Sequence, residues 1–340
     1  MNMNSNTNRI GNFMTQNAIY IVLIVLVVGI AIKDPSFLNI GILRDILLQS
    51  STRAIIALGA GFILITAGTD LSAGRVVGFT AVLSASLLQR PDYARLFFPD
   101  LPHLPLWLPI ALAIAAGLVV GLINGFIVAK LSVPPFIATL GTMVAVYGVN
   151  SIYFDMKPNQ SQPIGGLRPD FTTLGTGFIG KSGPYSIPYI VIIAIVIAAI
   201  VWVIFNKTRL GKNMYAIGGN IQAAKVSGIN VGRNLMAIYA IAGALYGLAG
   251  VLEAARTGGA TNNYGNMYEL DAIAACVVGG VSTSGGIGTV PGILAGVLIF
   301  GVINYGLTFI GVSPYWQLII KGAIIVAAVA FDIRKYLTKK

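Results

Sequence analysis

Long apolar runs, separated by short polar segments, dominate the chain. About 20 apolar residues in a helix cross the hydrocarbon core of a bilayer, and ten runs approach or exceed that length, the third and eighth being short. The predicted spans are 13–32, 46–67, 75–88, 106–130, 134–154, 187–205, 235–255, 270–281, 289–310 and 314–331. The pattern therefore predicts an all-α polytopic membrane protein with about ten transmembrane helices, whose membrane-spanning region covers 13–331.

Positive charges set the expected orientation of these spans. The segment 206–234 carries Lys207, Arg209, Lys212, Lys225 and Arg233 and no acidic residue, which is typical of a cytosolic loop. Six predicted spans precede this segment and four follow it. We therefore expect the N-terminus, which carries Arg9, and the basic C-terminal tail to be cytosolic, and we expect the loops 33–53, 89–105, 155–184 and 253–271 to lie outside.

Composition excludes several classes of protein. With 56% hydrophobic and 10% charged residues and a mean hydropathy of +0.82, the chain is unlike a soluble domain. Its net charge of +11 is spread among the loops, so we expect no nucleic-acid partner. Cys276 is the only cysteine and His103 the only histidine, so we expect no metal site, a packed Cys276 and a solvated His103.

The first predicted span ends in Ile-Lys-Asp-Pro. This sequence lacks the small residues of a signal-peptidase site, so the span is interpreted as an uncleaved membrane helix.

Glycine repeats predict close helix packing. Of the 41 glycines, several recur at every fourth position, a spacing that lets membrane helices approach backbone to backbone. The repeats are Ala113–Gly117–Gly121–Gly125, Gly243–Gly247 and Gly292–Gly296. We interpret them as packing seams of a bundle.

A first polar break, GTDLSAGR at 68–75, interrupts apolar sequence between the second and third spans. Irregular backbone at membrane depth requires protein or a water-filled cavity around its polar groups. Two compatible interpretations stay open. Thr69, Asp70 and Ser72 line a path for a hydroxyl-rich solute, or the segment is a tight turn in which Asp70 caps the next helix.

A second break, GGVSTSGGIG at 279–288, separates the eighth and ninth spans. It is interpreted either as a re-entrant or gate element or as a flexible turn. The string G-x-x-x-x-G-K-[ST] of a Walker A loop is absent from the whole sequence, so we expect no ATP hydrolysis by this chain through such a loop.

The basic segment 206–234 also contains small and apolar residues that a solvating loop does not need. Gly218, Gly219 and Gly228 bracket a predicted short helix near 221–227. We expect this helix to present Ala223, Ala224 and Ile229 to a groove on another protein. The alternative is a solvated loop whose charges serve topology only.

Few residues suggest covalent chemistry. Glu253, Glu269 and Asp271 are predicted in one external loop beside Arg256, Asn262, Asn263 and Tyr264. Paired carboxylates are used by glycosidases, but a solvated rim or docking surface is favoured because the loop is short. Lys321, inside the tenth span, is either a functional group or a side chain that snorkels outward.

Several motifs together resemble bacterial ABC-importer permeases of the ribose and galactose class. They are GTDLSAGR at 68–75, PFIATLGTM at 135–143, NKTRLGKNMYAIGGN at 206–220, AAKVSGINVG at 223–232 and MYELDAIAACVVGGVSTSGG at 267–286. The last, with ATNN at 260–263 and INYGLTFIGVSPYWQ at 303–317, is most similar to members that import galactose and methyl galactoside. The resemblance covers essentially the whole chain, 1–340, as a single permease domain.

This resemblance implies a set of partners in the bacterial inner membrane. They are a second copy of the chain, a cytosolic ABC ATPase that uses the ATP, and a periplasmic sugar-binding protein. The segment 206–234 is then the coupling loop that sits on the ATPase. Its implied contact residues are Gly218, Gly219, Asn220, Ala223, Ala224, Ser227, Gly228 and Ile229.

The implied mechanism is alternating access, with no cofactor and no covalent chemistry on this chain. The candidate path residues are Thr69, Asp70, Ser72, Thr139 and Thr142. The family fold carries an inverted repeat, and spans two to five and seven to ten do run in opposite senses. The alternative function is an ion-coupled secondary sugar transporter, which would need membrane-buried ionisable relays; only Asp70 and Lys321 qualify.

Overall fold

The computed structural model describes residues 18–180, 183 and 185–337, and all ten predicted spans are helical within that part of the chain. Arg9, residues 13–17 of the first span, and Lys339 and Lys340 of the tail lie outside the described residues. The helices are α1 (Ala18–Lys33), α2 (Ile40–Ile65), α3 (Ala73–Leu87), α4 (Trp107–Lys130), α5 (Pro135–Asp155), α6 (Pro169–Thr176), α7 (Tyr189–Lys207), α8 (Arg209–Gly219), α9 (Ile221–Val226), α10 (Val231–Thr257), α11 (Tyr268–Val278), α12 (Val290–Phe309) and α13 (Pro314–Leu337).

Helix length and composition confirm the all-α polytopic fold. Among the described residues, α2, α4, α5, α7, α10 and α12 are long and apolar enough to cross a membrane. Of the remaining predicted spans, α1, α3 and α13 are or contain shorter apolar helices, and α11 is a helix of 11 residues. We therefore treat the chain as a multi-pass membrane protein.

Two long helices form the centre of the bundle. In the most apolar 18-residue window of each helix, 78% of the residues of α2 and 61% of those of α10 are buried. The same measure is 28% for α4, 22% for α5 and 33% for α7. The last three helices therefore form the periphery and leave broad apolar faces uncovered by this chain.

The glycine repeats are packing seams, as predicted. A methyl group on Gly117 or Gly121 of α4 would overlap the backbone of α10, and one on Gly243 would overlap Gly117 in return. Methyl groups on Gly292 and Gly296 of α12 would likewise overlap backbone carbonyls of residues 275 and 279. The seams therefore join helices of the same chain. One seam packs α4 against α10, and the other packs α12 against α11 and Gly279, the residue after α11.

The predicted start of the second span at residue 46 is wrong. Helix α2 begins at Ile40, where the Asn39 side chain accepts a hydrogen bond of 2.8 Å from the Gly41 amide. The predicted external loop 33–53 is therefore mostly helix, preceded by a 3-10 turn, Pro35–Leu38. The prediction failed because Arg44 and Asp45 interrupt the apolar pattern, although charged side chains are tolerated near a helix end where they can pair or reach water.

The segment 155–184 folds onto neighbouring loops rather than crossing the bundle, as expected; residues 181, 182 and 184 lie outside the described residues. It contains α6 and strand β1 (Phe178–Ile179), which pairs antiparallel with β2 (Ile187–Pro188). Isolated bridges join Leu167 to Gln89 and Ile164 to Ala260. Arg168 donates hydrogen bonds to Asp170, which lowers the pKa of that carboxyl.

Candidate functional site

The first polar break forms a buried turn between α2 and α3. Asp70 Oδ1 accepts hydrogen bonds from the Ser72 amide, at 2.8 Å, and from the Ser72 hydroxyl, at 2.6 Å. Asn124 of α4 donates to the same hydroxyl at 2.9 Å. Asp70, Ser72 and Asn124 are all buried. Asp70 thus stabilises the start of α3 by binding Ser72, the residue that precedes the helix. This geometry matches the turn interpretation, except that Ser72 rather than Asp70 occupies the cap position.

Most of the other candidate path residues lie at the same turn. Thr139 of α5 accepts a hydrogen bond from the Leu71 amide at 3.1 Å, and its hydroxyl lies 3.2 Å from the Thr69 carbonyl oxygen. Thr142 instead bonds the Ala138 carbonyl of its own helix at 3.1 Å. The structure therefore brings Thr69, Asp70, Ser72 and Thr139 together and leaves Thr142 apart.

Two tyrosines at this turn were not predicted. Tyr239 and Tyr246 of α10 are fully buried, and a methyl group on Gly68 would lie 3.3 Å from the Tyr239 hydroxyl oxygen. Their signal in the sequence is a pair of phenol groups seven positions apart in an otherwise apolar span. That spacing places them on one face of a helix, two turns apart.

The second break packs against the end of α2, next to the first break. The Gly286 amide donates a hydrogen bond of 2.8 Å to the Ile65 carbonyl, and a methyl group on Gly285 would lie 2.8 Å from Cβ of Ala67. Gly285 and Gly286 have φ of +86° and +75°, which favours glycine. The segment 279–288 is thus a defined turn packed on α2.

The basic segment 206–234 reaches this same point through Gly218. A methyl group on Gly218 would overlap the Ile65 carbonyl and lie 2.6 Å from the Gly286 amide nitrogen. Two segments that were predicted separately, 206–234 and 279–288, therefore meet at the end of α2, just before the first break. We define this place, the α2 junction, as Ile65, Ala67, Gly218, Gly285 and Gly286.

The predicted short helix near 221–227 is confirmed as α9, but the segment also holds α8, which was not predicted. Gly218 and Gly219 end α8 rather than lying in a loop. Asn220 accepts hydrogen bonds from the amides of Gln222 and Ala223, at 2.9 and 3.0 Å, and so starts α9.

The expectation that Ala224 faces a partner is wrong. Ala224 is buried, and it packs with Ile217, Val231 and Leu235, with Ile229 partly buried beside them. Ala224 points inward because α9 packs against the rest of the chain through an apolar face. The residues it exposes include the predicted Ala223 and, unpredicted, Ile221 and Val226, of which Val226 is 90% exposed. Gly219, Asn220, Ser227 and Gly228 are exposed as well.

The acidic residues predicted in one external loop lie instead on helices. Glu253 and Arg256 belong to the end of α10, and Glu269 and Asp271 to the first turn of α11. The prediction failed because four charges near two helix ends resemble a loop in sequence. Asn262 of the connecting segment packs on α5, with its side-chain nitrogen 3.4 Å from the Ser151 hydroxyl.

Two of these carboxylates are held in ion pairs. Asp271 pairs with Arg53 of α2 and lies 3.3 Å from Lys321 of α13. Glu253 pairs with Arg256 at 2.7 Å. We name this group, with Tyr268, the Asp271 cluster: Arg53, Glu253, Arg256, Tyr268, Asp271 and Lys321. Lys321 is therefore paired inside the bundle rather than snorkelling outward.

The remaining contacts of the cluster fix its geometry. Glu253 accepts hydrogen bonds from the hydroxyls of Thr52, at 2.9 Å, and Tyr268, at 3.1 Å. The Arg53 guanidinium lies 3.5 Å from the centroid of the Tyr268 ring. Because Glu253 and Asp271 are both bound to cations, the arrangement does not resemble the free acid and base that glycoside hydrolysis needs.

Cys276 and His103 behave as predicted. Cys276 is fully buried and its thiol lies 3.2 Å from the Ala57 carbonyl oxygen. His103 is exposed in the connection between α3 and α4.

Comparison with known proteins agrees with this architecture. The family model described as branched-chain amino acid transport system / permease component matches residues 42–329. The chain belongs to this family. Membership identifies it as the permease component of a transport system, embedded in a membrane, and confirms the family resemblance seen in the motifs.

Individual relatives cover almost the whole chain. The galactose/methyl galactoside import permease protein MglC of Escherichia coli is 56% identical over 96% of this chain and 97% of its own length. The protein of the same name from Haemophilus influenzae is 55% identical over 98% of each. The ribose import permease protein RbsC of Bacillus subtilis is 39% identical over 92% of this chain and 91% of its own length. No solved structure matches the chain.

Proposed function

We propose that the chain is the membrane-spanning subunit of an ATP-driven importer that carries galactose or methyl galactoside across the bacterial inner membrane. The observation that carries this proposal is the 55–56% identity, over nearly the full length of both proteins, to import permeases named for those sugars. Ribose permeases are less similar, at 37–39% identity. The sugar is therefore taken from the more similar group.

A cytosolic ABC ATPase is the proposed source of energy, so ATP is used by that partner and no cofactor is bound by this chain. The proposed contact is the exposed side of α9 with its flanking residues. Ile221, Ala223 and Val226 all expose apolar side chains on this six-residue helix, and a group of exposed apolar residues is suited to contact a partner. With α9 on the cytosolic side, the basic segment 206–234 and both termini are cytosolic too.

Three further partners complete the proposed assembly. A periplasmic sugar-binding protein docks on the opposite side, where the loops around α6 lie. A second copy of the chain forms the other half of the pathway. The surrounding lipid bilayer covers exposed apolar faces such as that of α7, where Ile195 is 62% exposed.

The proposed mechanism is alternating access. ATP binding and hydrolysis on the partner move α8 and α9, and Gly218 transmits the movement to the α2 junction because its backbone touches α2 directly. Thr69, Asp70, Ser72, Thr139 and Thr142 stay candidates for the path. The chain itself needs only to adopt two alternative packings of its helices, and the partners shift the equilibrium between them.

Uptake by reconstituted complex tests the proposal. Proteoliposomes holding the chain, its ATPase and its binding protein should accumulate radiolabelled galactose when ATP is supplied, and a protonophore should leave the rate unchanged. Ion-coupled transport predicts the reverse. Accumulation by this chain alone, driven by a proton gradient and abolished by the protonophore, would refute the importer.

A further inference from the structure

A cavity of about 170 Å³ lies beside the Asp271 cluster, between α2, α11, α12 and α13. Gln49, Ser50 and Arg53 line it from α2, and Asn304 and Gln317 line it from α12 and α13. The cavity reaches the protein surface, because the Arg53 and Lys321 side chains at its wall keep 32% and 21% of their exposure.

Two neutral polar groups at the cavity lack partners. The Ser50 hydroxyl and Asn304 Oδ1 are buried and have no hydrogen-bond partner among the residues that the structure describes. A buried polar atom left unpaired is destabilising, so such atoms normally find a partner in water or a ligand. Both atoms belong to residues that face the same cavity.

The charged groups around the cavity are compensated within the chain. Asp271 is bound to Arg53 and Lys321, and Arg256 is bound to Glu253. The polar atoms at the cavity that are left without a partner are therefore neutral rather than charged, and they lie just beneath its wall. Beside them, Tyr268 and Phe300 place aromatic rings in the wall. Neutral donors and acceptors next to aromatic faces suit a ligand that carries hydroxyl groups and apolar C–H faces.

We propose that this cavity is a contact site for a neutral monosaccharide on its passage through the permease, with Ser50 and Asn304 as its hydrogen-bonding residues. The proposal rests on the proposed function. It differs from the path predicted at Thr69, Asp70 and Ser72, where Asp70 and Ser72 already bond one another.

The position of the cavity separates sugar contact from energy coupling. Ser50 precedes Ile65 of the α2 junction by 15 residues, which places the two about 22 Å apart along α2. With α9 on the cytosolic side, the cavity lies in the outer half of the bundle. Sugar released by the binding protein then meets it before reaching the buried turn at Asp70.

A matched pair of serines provides the first test. Ser51 lies next to Ser50 and is also buried, but its hydroxyl bonds the Leu47 carbonyl at 2.7 Å. In the complete importer, Ser50→Ala and Asn304→Leu should each lower the maximal rate of galactose uptake by roughly three- to tenfold, since each removes one hydrogen bond to the passing sugar. Ser51→Ala should stay within about twofold of the unmodified chain. The half-saturating concentration should not change, because the binding protein sets it.

Thiol labelling provides a second test that does not depend on a transport rate. In a Cys276→Ala chain, Gln49→Cys should react with a membrane-impermeant methanethiosulfonate, and saturating methyl galactoside with binding protein and ATP should slow the reaction severalfold. Leu38→Cys, which is exposed outside the cavity, should react at the same rate with and without sugar.

The two tests separate this proposal from the proposed function. If the unmodified complex imports no galactose, the proposed function fails. If it imports galactose, while Ser50→Ala and Asn304→Leu chains of normal abundance do so at the unmodified rate, the cavity is not a sugar contact. Equal labelling of Gln49→Cys with and without sugar in an active complex contradicts the cavity site in the same way.

Discussion

Two regions of α2 differ in how they are packed. At the end of the helix, the α2 junction, the backbone of Gly218, Gly285 and Gly286 packs against Ile65 and Ala67, and in the neighbouring turn Asp70 bonds Ser72. About 22 Å away, near the middle of the helix, Ser50 borders an accessible cavity, and its hydroxyl has no partner among the described residues. A closely packed region transmits displacement, because it has no room to absorb it. A region that borders a cavity is suited to bind a solute.

The largest expected effect comes from adding one methyl group to the packed end. Gly218→Ala would overlap the Ile65 carbonyl, so we expect galactose uptake to fall by more than about tenfold and the free energy of unfolding to drop by about 1–3 kcal/mol. Thermal unfolding of the purified chain and uptake by the complex measure these effects. Gly219→Ala is the matched control, because a methyl group there meets nothing within 4 Å. Equal stability of the two variants would contradict the packed junction.

The exposed side of α9 should be next in importance. Val226→Asp places a charge at a residue that is 90% exposed, so the chain should fold normally while ATPase copurification and uptake fall by about tenfold or more. Ala224→Asp buries an unpaired carboxylate and should instead lower the amount of folded chain. Normal uptake by the Val226→Asp chain would remove α9 from the ATPase contact.

The ion pairs beside the cavity predict an intermediate effect. Asp271→Asn leaves Arg53 and Lys321 without their shared anion, which should lower the free energy of unfolding by about 1–3 kcal/mol. Removing one cation as well, in Asp271→Asn with Lys321→Met, should recover part of the loss in a double-mutant cycle. If the double variant shows simply the sum of the two single effects, Asp271 and Lys321 are not energetically coupled.

The smallest effect is expected at Asp70. Asn offers the same Oδ1 acceptor to Ser72, so Asp70→Asn should change uptake by less than about twofold, as expected for a turn that Asn also stabilises. Asp70→Leu leaves the Ser72 amide without its acceptor and should reduce the amount of folded chain. A large loss of uptake in a stable Asp70→Asn chain would instead favour the path interpretation.

Hydropathy predicted the positions and order of the ten apolar helices, because apolar length alone decides whether a segment crosses lipid. It misplaced the start of α2, since Arg44 and Asp45 break the apolar pattern without breaking the helix. It missed α8 because that helix, Arg209–Gly219, mixes basic residues with glycine.

The sequence did not predict which distant segments contact one another. The breaks at 68–75 and 279–288 follow non-equivalent spans, and nothing local indicates that the Gly286 amide bonds the Ile65 carbonyl. The inward direction of Ala224 and the pairing of Asp271 with cations on α2 and α13 likewise depend on how distant helices pack. The glycine seams were predictable, because their four-residue spacing itself describes a helix face.

ATP hydrolysis by the reconstituted complex tests the central claim most directly. The account predicts that galactose and its binding protein together raise the ATPase rate severalfold, and only when this chain joins the ATPase to the membrane. An ATPase rate that responds to sugar without this chain, or ignores sugar in a complex that contains it, would contradict the account.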